Sequence, residues 1–187
     1  TNWTEVNNLN AAKDALGGFG TNTSALAFGG SEPGGNTANT ELWNGTNWTE
    51  VNNLGGAKRF VAGAGADNTT GLCFGGNPGP TANTELWNGT NWAEVNNLNT
   101  ARNQLAGLGT QPSALAFGGE GPPNLAITEL WNGTSWSEQG DLNAAVRFNA
   151  GAGTTTAGLS FGGDNGPVKA ATESWNVPSN VVKTLTD

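Results

Sequence analysis

The sequence predicts an all-β fold, a four-bladed β-propeller built from four-stranded antiparallel blades. Three observations predict it. The 187-residue chain repeats itself about every 44 positions. Each repeat divides into four short runs separated by Gly, Pro, Asn and Thr, the residues that make turns. The chain opens in the fourth run of a repeat, "TNWTEVNNL", and its last repeat stops at the third, "ATESWN". The N-terminal strand is therefore expected to complete the last blade and close the ring, which removes free sheet edges. No stretch sustains a 3.6-residue periodicity, so almost no helix is expected.

The repeat is carried by several series. One tryptophan series is Trp43, Trp87, Trp131 and Trp175, and its companion is Trp3, Trp48, Trp92 and Trp136. A Phe-Gly-Gly triplet recurs at Phe28, Phe74, Phe117 and Phe161, with doublets Gly29-Gly30, Gly75-Gly76, Gly118-Gly119 and Gly162-Gly163. Residues 38–54 and 82–98 differ only at Thr49 against Ala93, a similarity that points to recent duplication. The propeller is expected over residues 1–176, with 177–187 a C-terminal tail or linker.

The first run of each unit is small and glycine-rich, with Gly18/Gly20, Gly63/Gly65, Gly107/Gly109 and Gly151/Gly153 at equivalent sites. A ring of few blades crowds its innermost strands near the axis, and strand glycine marks close backbone approach. The second run alternates, so Leu26 and Phe28 share one face and Ala25 and Ala27 the other. The third and fourth runs flank Asn-Gly, a strong hairpin signal. A two-residue turn would set Trp43 against Thr46. The four-residue loop Asn44–Asn47 sets Trp43 against Trp48, the favoured register, with at least one Trp of each pair packed between blades. All eight tryptophans, Trp3 included, and the four Gly-Gly doublets are read as structural.

Composition excludes much chemistry. There is no His, Tyr or Met, and Asp plus Glu outnumber Lys plus Arg by 15 to 7. An acidic chain with no basic cluster is not expected to bind nucleic acid or an anionic membrane surface. No apolar run has the length of a membrane span and no signal-peptide pattern is present. The missing initiator Met suggests an excised or processed piece. Without His there is no His-based triad or His zinc site. The single cysteine, Cys73, aligns with Ala27, Ala116 and Ser160 and reads as a small core residue.

The carboxylates recur with the repeat. Glu41, Glu85, Glu129 and Glu173 precede the third-run Trp, and Glu5, Glu50, Glu94 and Glu138 follow the fourth-run Trp. Paired carboxylates can hydrolyse glycosides. An active site is a single asymmetric constellation, so these repeated groups read as structural partners of Lys, Arg or Thr. The candidate cations before the first strand are Lys13, Lys58, Arg59, Arg102 and Arg147. Asp67-Asn68 and Asp164-Asn165 are oxygen-rich turns without the ordered ligand spacing of a calcium loop. No catalytic residue, metal or cofactor is expected. Seven Asn-x-Ser/Thr triplets arise readily in so Asn- and Thr-rich a chain.

The hydrophobic strand ending in Gly-Gly, followed by an aromatic and a Trp on the next strands, resembles the kelch repeat over nearly the whole chain. The resemblance implies a propeller scaffold. Two features depart from it: the aromatic-to-Trp spacing is shorter, and there are fewer units than the six or seven usual in that family. The copper chemistry of galactose oxidase, a kelch-like propeller, needs Tyr and His and is not carried over. The near-copied "TELWNGTNWTEVNNLNTAR"-like wording is also similar to repeats of structural and tail proteins of marine bacteriophages.

Within so constant a repeat, the loops after Phe-Gly-Gly diverge. They read "SEPGGNTAN", "NPGPTAN", "EGPPNLAI" and "DNGPVKAA". Loops on a rigid scaffold are where binding usually sits. The candidate binding residues are Glu32, Pro33, Asn36, Asn77, Pro78, Pro80, Glu120, Pro122, Asn124, Asp164, Asn165 and Lys169. The expected function is non-enzymatic: a structural or recognition module of a phage tail or fibre, on a virion or extracellular. Its expected partner is a host surface glycan or another virion protein, with an oligomer possible inside a larger assembly. The alternative is a lectin-like module that stacks sugars on tryptophan.

Overall fold

The computed structural model describes residues 2–177. It is all-β, with no helix among those residues. The first unit contains β1 (Gly17–Gly20), β2 (Ala25–Phe28), a small loop hairpin of β3 (Ser31–Glu32) and β4 (Gly35–Asn36), then β5 (Thr40–Trp43) and β6 (Trp48–Val51). The second holds β7 (Ala62–Asp67), β8 (Thr70–Phe74), β9 (Thr84–Trp87) and β10 (Trp92–Val95). The third holds β11 (Ala106–Thr110), β12 (Ser113–Phe117), β13 (Thr128–Trp131) and β14 (Trp136–Glu138). The last holds β15 (Ala150–Thr154), β16 (Ala157–Phe161) and β17 (Thr172–Asn176). The sheets are antiparallel meanders in a propeller-like arrangement, three of four strands and one of three.

The inner strands pack side by side, β1 on β7, β7 on β11 and β11 on β15. Glycine makes this possible. A Cβ on Gly107 would lie 2.6 Å from Phe74 Cζ and 3.0 Å from Gly63 O, and one on Gly151 would lie 2.6 Å from Phe117 Cζ and 3.1 Å from Gly107 O. The backbone joins the units too. Phe60 N–H donates to Ala15 O, Gln104 N–H to Phe60 O and Phe148 N–H to Gln104 O, at 2.8–3.0 Å. The second glycine of the first three doublets donates to the next unit, Gly30 to Lys58 O, Gly76 to Arg102 O and Gly119 to Val146 O. The first glycine of each doublet sits at φ +63 to +71° with a carbonyl where a Cβ would go in the first three units, so a side chain is excluded twice over.

Tryptophan fills the interfaces. Trp43 pairs with Trp48, Trp87 with Trp92 and Trp131 with Trp136 directly across their hairpins, the register of the longer loop. Asn44 Oδ1 accepts from the Thr46 and Asn47 amides and fixes that loop; Asn88 and Asn132 do the same. The third-strand indoles donate to the first turn of their own sheet, as Trp87 does to Asn68 O at 2.9 Å. The fourth-strand indoles reach back to the preceding unit. Trp92 Nε1 donates to Thr40 Oγ1 and packs on Phe28; Trp136 Nε1 donates to Thr84 Oγ1 and packs on Phe74. Burial of Leu26, Phe28, Leu72, Phe74, Leu115 and Phe117 follows from this stacking.

The two ends of the array differ from its interior. Leu159 and Phe161, on the face that units one to three cover with the next sheet, are 43% and 40% exposed. Residues 2–9, expected as the closing strand, are not in a strand in this structure, β17 is an edge, and Trp3 is fully exposed. Asn7 and Asn10 nevertheless fasten this segment along the first unit. Asn7 Nδ2 donates to Thr46 O, as Asn52 donates to Thr90 O and Asn96 to Thr134 O further along. The tail expectation falls almost wholly on residues 178–187, which lie outside the described residues.

Candidate recognition surface

The loops between second and third strands lie along one side of the sheets: the first is bonded to the second, the third and fourth share Arg147, and the second and third both bond the segment Arg102–Asn103, through Thr81 and Glu120. Bridges pair Asp14 with Ser31, Arg59 with Asn77, Asn103 with Glu120 and Arg147 with Asp164 at the loop bases. Asn36 Nδ2 donates to Asn77 O, joining the first two loops. Arg147 joins the last two, donating from Nη1 to Glu120 and from Nε to Asp164, both at 3.0 Å. The hydrogen bond to Asp164, with Glu120 beside it, raises the guanidinium's pKa above its ordinary value.

The candidate loop residues thus divide. Glu32 lies in β3, 3.9 Å from Lys13, and accepts from Asn39. Asn36, Asn77, Glu120, Asn124 and Asp164 take part in the bonds or bridges that shape the loops. Pro33, Pro78, Pro80, Pro122, Asn165 and Lys169 are exposed at the tips. The Pro122–Pro123 peptide is cis.

Beneath this face runs a row of buried ion pairs. Lys13 meets Glu41 at 2.8 Å, Lys58 meets Glu85 at 2.5 Å and Arg102 meets Glu129 at 3.0 Å. The other oxygen of each carboxylate accepts a backbone N–H, from Asn10, Gly55 and Asn99 in turn. Arg102 also donates to the carbonyls of Ala116, Gly118 and Ile127. Burial lowers the pKa of Arg102, and Glu129 opposes that shift. Of the expected cations, Lys13, Lys58 and Arg102 are therefore the partners of the recurring third-strand carboxylates. Arg59 and Arg147 stand one position later and turn to the loops or to phenylalanine rings. In the last unit Val146 stands where the others have Lys or Arg, and Glu173 Oε1 has no partner among the described residues. That gap was visible in the aligned repeats but carries meaning only once the pairing is known.

Other groups have local partners. Asp67 accepts from Thr69 N and Oγ1, which lowers its pKa. Cys73 is wholly buried, which pushes its thiol up to about 12. Among the described residues no three His, Cys, Asp or Glu side chains cluster as metal ligands, and no helix is long and apolar enough to cross a membrane. Comparison of the chain with protein-family models and with curated proteins gave no match.

Proposed function

We propose that the protein is a non-enzymatic recognition module of a bacteriophage particle, a tail or fibre component. Its divergent loop face meets a host surface glycan or another virion protein. One observation carries the reading: four loops of dissimilar sequence stand side by side on a scaffold whose other parts are near copies. Pairing below the tips and exposure at Pro33, Pro78, Pro80, Pro122, Asn165 and Lys169 suit recognition without chemistry. The lectin-like alternative needs open indole faces, whereas the paired tryptophans pack ring on ring at 5.3–5.5 Å.

The scaffold of this proposal is a four-bladed kelch-like ring closed by the N-terminal strand. Its support is the complementarity of the two ends. A groove of about 110 Å³, lined by Leu115, Phe117, Thr128, Leu142 and Trp175, lies where Trp92 and Trp136 sit in the earlier interfaces. Trp3 is the unused tryptophan of that series. Phe161 and the half-buried Trp48 are likewise the halves of one more Phe–Trp contact.

The test replaces all four loops with the second unit's loop. The native and exchanged domains are compared on an array of bacterial surface polysaccharides and by binding to tail-structure proteins of one phage. Binding by the native domain and loss on exchange support the reading; binding unchanged by exchange removes the loop face as the site.

A further inference from the structure

We infer that the last unit carries a built seat for a guanidinium group, a binding site that no cation of the described residues fills. The first three units show what this position holds. In the third, the Arg102 guanidinium is gripped by Glu129 Oε1 at 3.0 Å and by the carbonyls of Ala116, Gly118 and Ile127 at 3.3, 3.2 and 2.6 Å. The matching groups in the last unit are Glu173 and the carbonyls of Ser160, Gly162 and Ala171. Glu173 is oriented as its counterparts are, with Oε2 accepting from Asn143 N at 2.8 Å and Nδ2 at 2.6 Å. The cation is missing, because the side chain at its position is Val146.

A cavity of about 200 Å³ occupies this place, lined by Val146, Ser160, Gly162, Lys169, Ala171 and Glu173. Two further changes are confined to this unit. Ser160 replaces the Ala27, Cys73 and Ala116 of the other units, and Asn149 replaces Leu16, Val61 and Leu105. Asn149 Nδ2 donates to Ser160 Oγ at 2.9 Å, which leaves the serine proton available as a donor. The surroundings are thus more polar where the internal cation is lost. A carboxylate with three converging carbonyls matches the planar donor fork of guanidinium better than the compact ammonium. Among the described residues the cation that lines the cavity, Lys169, makes no ion pair with Glu173.

The occupant is a guanidinium, free or on an arginine side chain of a partner. This inference is independent of the loop reading, since the seat is defined by its three internal copies. The probe is methylguanidinium chloride, titrated into the isotopically labelled chain and followed by amide chemical shifts. A group this small is expected to bind with a dissociation constant of about 1 mM. Shifts are expected at Ser160, Gly162, Ala171 and Glu173. Glu173→Gln should weaken binding about tenfold or more, and Val146→Arg should abolish it by filling the seat from within. Lys169→Ala should leave binding intact or strengthen it. Methylammonium should bind more weakly. A blocked Gly-Gly-Arg-Gly peptide that binds at least as tightly as methylguanidinium assigns the seat to a partner's arginine; tighter binding of the free cation assigns it to a small molecule. No shifts at about 50 mM probe, or equal binding by Glu173→Gln and Val146→Arg variants that still fold, overturns the inference.

Discussion

Substituting the fourth-strand tryptophans one at a time reads out whether the ring closes. Trp92 sets the scale. Its ring packs 5.1 Å from Phe28 and 5.4 Å from Trp87, and its Nε1 donates to Thr40 Oγ1, which is fully buried. Trp92→Ala therefore costs about 3–5 kcal/mol in lost packing and cavity, with the orphaned Thr40 hydroxyl adding to the upper end. Trp48 and Trp3 occupy the same place in their repeats. With the ends apart, Trp48 keeps only Trp43, at 5.3 Å, and Trp48→Ala costs about 1–2 kcal/mol. Trp3 is fully exposed, so Trp3→Ala would then cost less than about 0.5 kcal/mol. In a closed ring Trp3 fills the groove against Phe117 and Thr128, and Trp48 covers Phe161. Both substitutions then cost about 3–5 kcal/mol, which for a chain of this size lowers Tm by roughly 6–20 °C. The assay is urea and thermal unfolding followed by far-ultraviolet circular dichroism, comparing midpoints rather than amplitudes, because paired indoles contribute to the far-ultraviolet signal. A Trp3→Ala midpoint equal to the wild-type midpoint refutes closure by this strand.

Other expectations concern the buried polar groups. Arg102→Val copies the last unit's residue into the third and strands Glu129, which has no exposed surface. Unfolding free energy should fall by about 3–5 kcal/mol, and adding Glu129→Gln should restore part of it; a loss below about 1 kcal/mol contradicts the role given to the pair. Cys73 makes stability depend on alkaline pH. Burial pushes its folded thiol up to about 12 from an ordinary 9.0, so the unfolded chain ionises first. Below pH 9 the thiol is protonated in both states and adds no pH dependence. Between about pH 9 and 12 stability should fall by up to about 1.4 kcal/mol per pH unit through this group. Cys73→Ala, the residue of the first and third units, should flatten that slope, and parallel curves for the two proteins would refute it.

How much was legible in the sequence follows from how local each interaction is. The hairpin register was readable because Asn44 and its copies bond within their own four-residue loop. The close approach of the inner strands was readable because only glycine leaves room for a neighbouring carbonyl. Lys13, Lys58 and Arg102 could be named as candidate cations, but Arg59 and Arg147 could not be told from them. The two classes sit in adjacent positions, and only the fold shows that one turns inward and the other toward the loops. The segment at residues 2–9 has the same sequence whether it pairs along the last sheet or not. Its pairing depends on whether two ends far apart in the chain meet, and no local pattern encodes that. The loops were legible as divergent. Their joining in pairs, first to second through Asn36 and third to fourth through Arg147, was not, because those contacts span 41 and 27 residues.

The most direct measurement of the recognition claim is the binding of the native and loop-exchanged domains, side by side, to bacterial surface polysaccharides and phage tail-structure proteins. Both proteins must first unfold at comparable urea concentrations, which the near-constant scaffold predicts. The native domain is expected to bind at least one probe and to lose that binding on exchange. Equal binding by both domains contradicts the recognition claim.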